Sequence, residues 1–163
     1  MRECIGLFGH CGRQRWRDSF IERYEQESIN YYNPFKDDYD SAIDGPLEAS
    51  NMAENKIVVF PITNQSFGMI SLNEVSIATN MSEDRHLIVL VDDNVMSDVS
   101  ISNRNNTYSD ETLASINKEM SRASVSSRNL VRFHLEKLNK PNVHLVSSLD
   151  DMLELSVVLY REV

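Results

Sequence analysis

Cysteine is almost missing from the chain: only Cys4 and Cys11 occur in 163 residues, with no Cys-x-x-Cys. That excludes a disulfide framework and a zinc ribbon, and suggests a reducing, cytoplasmic setting. Positive charge is also scarce. Lys and Arg number 16 against 25 Asp and Glu, giving a formal charge of −9, and the only local basic cluster is Arg13, Arg15 and Arg17. Binding a nucleic-acid polymer depends on releasing counterions to clustered cations, so no nucleic-acid polymer is expected as a partner. His10, His86, His134 and His144 stand singly, which suggests no metal site. No apolar run approaches the ~20 residues that span a bilayer, so no membrane partner is expected. A first strand beginning near Met1 would leave no space for a signal peptide. Gly9-x-x-Gly12 has neither the dinucleotide fingerprint nor the Walker spacing, and no cofactor is expected.

What is present fits one soluble globular domain over residues 1–163: 18.7 kDa, 41% hydrophobic and 25% charged residues. Cys4 to Phe8 is a short apolar run stopped by Gly9, read as a first strand. Trp16, Phe20, Ile21 and Tyr24 follow at helical spacing, with Arg17, Asp18, Glu22 and Arg23 between them. Ile29 to Tyr32 reads as a second strand closed by Asn33-Pro34. Asp44-Gly45-Pro46 predicts a helix to about Asn55, with Asp44 as its cap. Ile57 to Ile62, Leu87 to Val91 and Val143 to Val146 supply three more strands, and helices are predicted from near Ser71 and over Met152 to Leu159. The class is α/β: a single doubly wound, mostly parallel five-stranded sheet with helices on both faces, a flavodoxin-like or Rossmann-like three-layer sandwich. Ligands of such sheets bind beyond the carboxyl ends of the strands, where the winding reverses.

Residues 92–110 are rich in Ser, Asn and Asp and poor in large apolar side chains, so a mobile insertion is expected there. A helix then carries Leu113, Ile116 and Met120, meets the polar patch Ser121 to Arg128, and resumes helical spacing at Leu130, Val131, Leu135 and Leu138. Residues 92–128 read equally as a surface excursion or as a lid or arm.

Carboxylates mark the loops. Asp37, Asp38 and Asp40 follow the second strand, Glu48 precedes the third, and Glu74 follows it. Two carboxyl groups about 5–5.5 Å apart are what a retaining glycoside-cleaving site needs. Each also has a plainer role. Ser71-Leu72-Asn73-Glu74 spells a capping box, and Glu48 could be a solvated first-turn acid favoured by the helix dipole. Trp16 could stack on a flat ring or anchor the first helix in the core.

Several segments in order carry a resemblance. Gly6-Leu7-Phe8-Gly9, Trp16-Arg17-Asp18-x-Phe20-Ile21, Tyr32-Asn33-Pro34 with Asp37-Asp38, and Ser66-Phe67-Gly68-x-x-Ser71-Leu72-x-Glu74 together resemble the nucleoside 2-deoxyribosyltransferase-like family over about the first ninety residues. The resemblance implies cleavage of the N-glycosidic bond of a nucleoside or nucleoside 5′-monophosphate, with the sugar passing to another base or to water. It casts Glu74 as nucleophile and Glu48 as general acid/base. Gly9, Trp16, Asn33, Asp38, Ser66 and Gly68 then fall in the substrate-binding segments, with Asp38 facing the base. It also implies a homo-oligomer whose sites are completed across subunits.

The chain departs from the family pattern at Leu7, where several members have Tyr. Strict spacing puts Gly68 where classical transferases have an Asp for the 5′-hydroxyl; the shifted match puts Ser66 there. Ser66, with Ser126, Ser127 and Arg128, would suit a 5′-phosphate; as a plain turn residue Ser66 would not. For Glu48 to act as an acid near neutrality, burial or the charge on Glu74 must raise its pKa. A nucleotide-sensing module on the same fold, or a structural partner protein, are the readings without turnover.

Overall fold

The structure is a computed structural model that describes residues 2–9, 15–81, 83–101 and 107–162. Ten elements alternate: β1 (Arg2–Leu7), α1 (Trp16–Gln26), β2 (Tyr31–Tyr32), α2 (Gly45–Glu54), β3 (Asn55–Ile62), α3 (Met69–Ala78), β4 (His86–Val91), α4 (Asp110–Leu138), β5 (Val143–Val146) and α5 (Leu149–Glu162). The five strands form one sheet in the order β2-β1-β3-β4-β5, every pair parallel. The chain steps outward from β1 to β2, then crosses back to β3 and continues to the other edge. The winding therefore reverses between β1 and β3. This is the doubly wound α/β architecture that the strand–helix alternation predicts.

The central strands are apolar on both faces because both faces are covered. Ile5, Leu7, Ile57, Val59, Ile88 and Leu90 pack under α1 and α5, against Trp16, Phe20, Tyr24, Met152 and Val157. Val58, Phe60, Ile62, Leu87 and Val89 face the other way, onto Leu72, Val75 and Ala78 of α3 and Leu135 of α4, with Met52 of α2 at the margin. Period-2 alternation thus sorts each strand's side chains into two separate cores.

Three boundaries differ from the sequence reading. Strand β2 is only Tyr31–Tyr32, since Ile29 N–H already bonds Tyr24 C=O at the end of α1. Asp44 stands at the cap position of α2, yet its carboxylate does not cap that helix; it accepts from Asp40 N–H and pairs with Lys36 instead. The polar patch 121–128 does not interrupt a helix: α4 runs unbroken for 29 residues. Ser124 and Arg128, four residues apart, turn to the same inward side and are fully buried, so they continue the stripe that apolar residues begin.

Of the expected insertion, residues 92–101 and 107–109 contain no helix or strand. The first part is tied to the body: Asp92 N–H bonds Ile62 C=O, Met96 N–H bonds Asn64 C=O, and Ile101 N–H bonds the Asn117 side chain. Residues 102–106 lie outside the described residues, as do His10 to Gln14 of the first loop.

Candidate active site

The winding reversal puts the carboxyl ends of β1 and β3 side by side, and a cavity of about 410 Å³ opens there. Four segments line it. Gly9 comes from the end of β1; Pro34, Phe35, Lys36 and Tyr39 follow β2; Glu48 comes from α2; Ile70, Ser71 and Glu74 come from α3.

Gly9 has φ +100, and a Cβ on it would sit 3.0 Å from Pro61 Cδ and from the Pro61 carbonyl oxygen. Both the left-handed backbone and the close crossing of β3 therefore require glycine. Arg17, in the first turn of α1, reaches back to this corner. Its Nε donates to Leu7 C=O at 3.2 Å, and Nη2 donates to Leu7 C=O at 3.2 Å and Gly9 C=O at 3.1 Å. The guanidinium lies over the Trp16 ring, 4.3 Å from its centroid. Arg17 is thus buried, not one of the solvated residues between the apolar positions of α1.

Helix α3 begins at Met69, two residues before Ser71, and Gly68 holds the cap position with φ 64. The capping box is therefore not formed: Ser71 lies inside the first turn and lines the cavity, and Leu72 N–H is taken by Gly68 C=O. Glu74, one turn further on, faces the same space. Its pKa is raised to about 7, first by burial and then by the negative charge of Glu48, while Arg17 pulls the other way. Glu48 accepts a hydrogen bond from the Tyr39 hydroxyl at 2.6 Å. That bond, with burial and further nearby carboxylates, pushes the Tyr39 phenol up to about 12. The two glutamates feel one another across one cavity. The sequence reading looked for a raised proton affinity on Glu48; the proton is held up on Glu74.

Of the residues named from sequence, Gly9, Glu48 and Glu74 meet at the cavity. Trp16 does not line it: the ring is buried, edge-on to Phe20 at 5.2 Å between centroids, so it anchors α1 in the core. Asn33 Oδ1 accepts from Phe35 N–H at 3.1 Å, a local turn that delivers Phe35 and Lys36 to the wall. Asp38 is exposed and outside the lining. Ser66 is buried, and its hydroxyl has no hydrogen-bond partner among the described residues; it too lies outside the lining. Arg128 offers nothing to a phosphate, because its guanidinium is already bonded to main-chain carbonyls, and Ser126 is exposed on α4.

Tyr39, Lys36, Phe35, Ile70 and Arg17 were not singled out by sequence. Only Arg17 carried a signal there, through its place beside Trp16 in a matched segment. A larger opening, about 600 Å³, lies at the carboxyl ends of β4 and β5, away from the reversal. Its acids are engaged: Asp93 pairs with Arg132, Asp151 accepts from the Ser147 hydroxyl, and Asp92 accepts from Asn64 N–H. Chemistry that needs two carboxylates facing one open volume belongs to the first cavity. Among the described residues, no group of three or more His, Cys, Asp or Glu is placed to hold a metal, and no helix is long and apolar enough to cross a membrane.

The chain matches no protein-family model, and a search of curated proteins returns no match.

Proposed function

We propose that this chain cleaves the N-glycosidic bond of a (2′-deoxy)nucleoside through a covalent glycosyl ester on Glu74, with transfer of the sugar to another base or to water. One observation carries the reading: Glu48 and Glu74 share one cavity at the sheet's winding reversal, and burial together with the mutual charge holds a proton on Glu74 to about pH 7. The chemistry needs one proton on the pair. Glu74 attacks the anomeric carbon as a carboxylate, so that proton passes to Glu48 as substrate seats. The C–N bond then breaks, Glu48 delivers the proton to the departing base, and Glu74 is left esterified to the sugar. In the second half Glu48 takes a proton from water or from the incoming base, whose oxygen or nitrogen attacks the anomeric carbon and frees Glu74. Tyr39 fixes the Glu48 carboxylate for both proton transfers.

Phe35, Tyr39 and Ile70 offer apolar surface to a sugar or base. Lys36, the described cation of the lining, is paired with Asp44. With Ser66 and Arg128 out of reach, support for a 5′-phosphate falls away and the free nucleoside is the favoured form. Ile70 and Ile77 project from α3 with 76% and 69% of their surface exposed, which supports a homo-oligomer in which a second copy covers the helix beside the cavity. A reducing, cytoplasmic setting fits the two cysteines.

The test is base release from a panel of nucleosides and their 5′-monophosphates, followed by chromatography, with the intact mass of quenched protein read for a sugar adduct on Glu74. Wild type is expected to release base and carry the adduct; Glu74→Ala is expected to do neither. Binding without release from any member of the panel would make the chain a nucleotide-sensing module.

A further inference from the structure

Arg128 is the most completely enclosed charge in the molecule's described part, with no exposed surface. All five guanidinium N–H groups have directed acceptors. Nε donates to Ser124 Oγ at 3.1 Å; Nη1 donates to Ile62 C=O at 2.8 Å and Asp92 C=O at 3.1 Å; Nη2 donates to Thr63 C=O at 2.9 Å and Ser66 C=O at 2.6 Å. Ser124 in turn donates to Phe67 C=O at 2.6 Å. Between them, the two α4 side chains bind the carbonyl of Ile62, the last residue of β3, and those of Thr63, Ser66 and Phe67, half of the six residues that connect β3 to α3. That connection ends at Gly68, whose φ of 64 starts α3, and Glu74 follows in the second turn of the helix.

Stability alone does not call for an arginine here. Removing a cation from water costs several kcal/mol, and a well-packed apolar side chain often serves a fold as well or better. What the guanidinium supplies is a rigid planar fork of five donors, able to set four carbonyls at once. The proton affinity of Glu74 answers to burial, Glu48 and Arg17; Arg128 reaches Glu74 through the backbone.

We propose that Arg128, with Ser124 as its brace, is the positioning residue for Glu74: it holds the β3–α3 connection in the one shape that starts α3 at Gly68 and so aims Glu74 at Glu48 across the cavity. The proposal rests on the glycosidic-bond reading for its activity readout, but not for its structural one. A lysine at 128 has three donors for five acceptors and no planar fork. The Arg128→Lys variant is expected to melt cooperatively, to lose about 10- to 100-fold in kcat with KM within about threefold, and to move the Glu74 titration by half a pH unit or more, followed by carboxyl carbon NMR. Added guanidinium should restore kcat to Arg128→Ala saturably, whereas urea should not. Ser124→Ala is the milder variant and covers the case in which neither substitution at 128 folds; it should show the same shift of the Glu74 titration with a smaller kcat loss. Folded variants with wild-type kcat and an unmoved Glu74 titration would overturn the assignment. If wild type releases no base, the glycosidic reading fails on its own, and the titration in wild type against the variants still decides the role of Arg128.

Discussion

Glu74 is asked to ionise in a place that resists ionisation. Burial and the neighbouring Glu48 hold its proton to about pH 7, so in the one-proton mechanism the pair loses its last proton near neutrality. The expected pH profile of kcat/KM therefore falls as pH rises through about 7, by roughly tenfold per unit on the alkaline side; a profile flat from pH 6 to 9 would remove Glu74 from the titrating step. The same shift acts on folding. A carboxyl whose pKa rises on folding leaves the native state least penalised at acid pH, below its ordinary value, and progressively destabilised as pH rises from there through about 7. Glu74→Gln removes that penalty while abolishing base release. Because Glu74 is only partly buried, the expected stabilisation at pH 8 is about 1–2 kcal/mol after allowing for solvent screening, read as a higher denaturation midpoint than wild type, with no difference near pH 4. A less stable, inactive variant would mean that Glu74 supports the fold, not the chemistry.

At the scale of elements, the strands were legible because burial on both faces leaves an unmistakable record: Ile57 to Ile62 and Leu87 to Val91 have nowhere else to go. Helix α4 was legible only in halves. Its inward side continues through Ser124 and Arg128, and apolar periodicity is blind to core positions filled by polar groups that bond carbonyls. The start of α3 was misplaced for a related reason. Ser71 and Glu74 spell a capping box, but the chain enters the helix through the left-handed Gly68, where Ile62 and Arg128 crowd the space a Cβ would take. Tyr39 could not have been found from sequence, since its tie to Glu48 forms between a loop and the next helix. A Cβ at position 68 would lie 2.7 Å from Ile62 Cγ2 and 3.2 Å from Arg128 Nη2, on a backbone at φ +64. Gly68→Ala is expected to cost about 1–3 kcal/mol, a fall of several degrees in melting temperature, and to impair base release beyond that loss, because α3 carries Glu74. An unchanged melting temperature would show that the β3–α3 connection is not under this constraint.

Across the whole molecule, the site and a paired-histidine contact stand at opposite ends of the sheet. At the amino end, His86 of β4 and His144 of β5 meet at 3.1 Å between Nδ1 and Nε2. Both have lowered pKa values. Burial is the main cause in each; Lys56 of β3 adds to it for His86 and His86 for His144, while Glu162 of α5 partly offsets it for His86. A single proton suits an N–H···N bond between the rings, and a second sets two cations side by side. The unfolded chain takes up protons near pH 6.5, before the folded pair does, so stability is unaffected above that value and declines as pH falls through it. Glu74 works in the opposite sense, costing stability as pH rises toward 7. The two ranges overlap between about pH 5 and 6.5, where the histidine pair opposes the gain in stability that Glu74 gives on acidification. His144→Gln is expected to make stability at pH 5, relative to pH 7, higher than in wild type by less than about 1 kcal/mol given the rings' partial exposure, and to leave base release and its alkaline pH limb unchanged. Chemical denaturation at half-unit pH intervals reads this directly: the same change in stability between pH 7 and 5 in the variant as in wild type would locate the sensitivity outside the histidine pair.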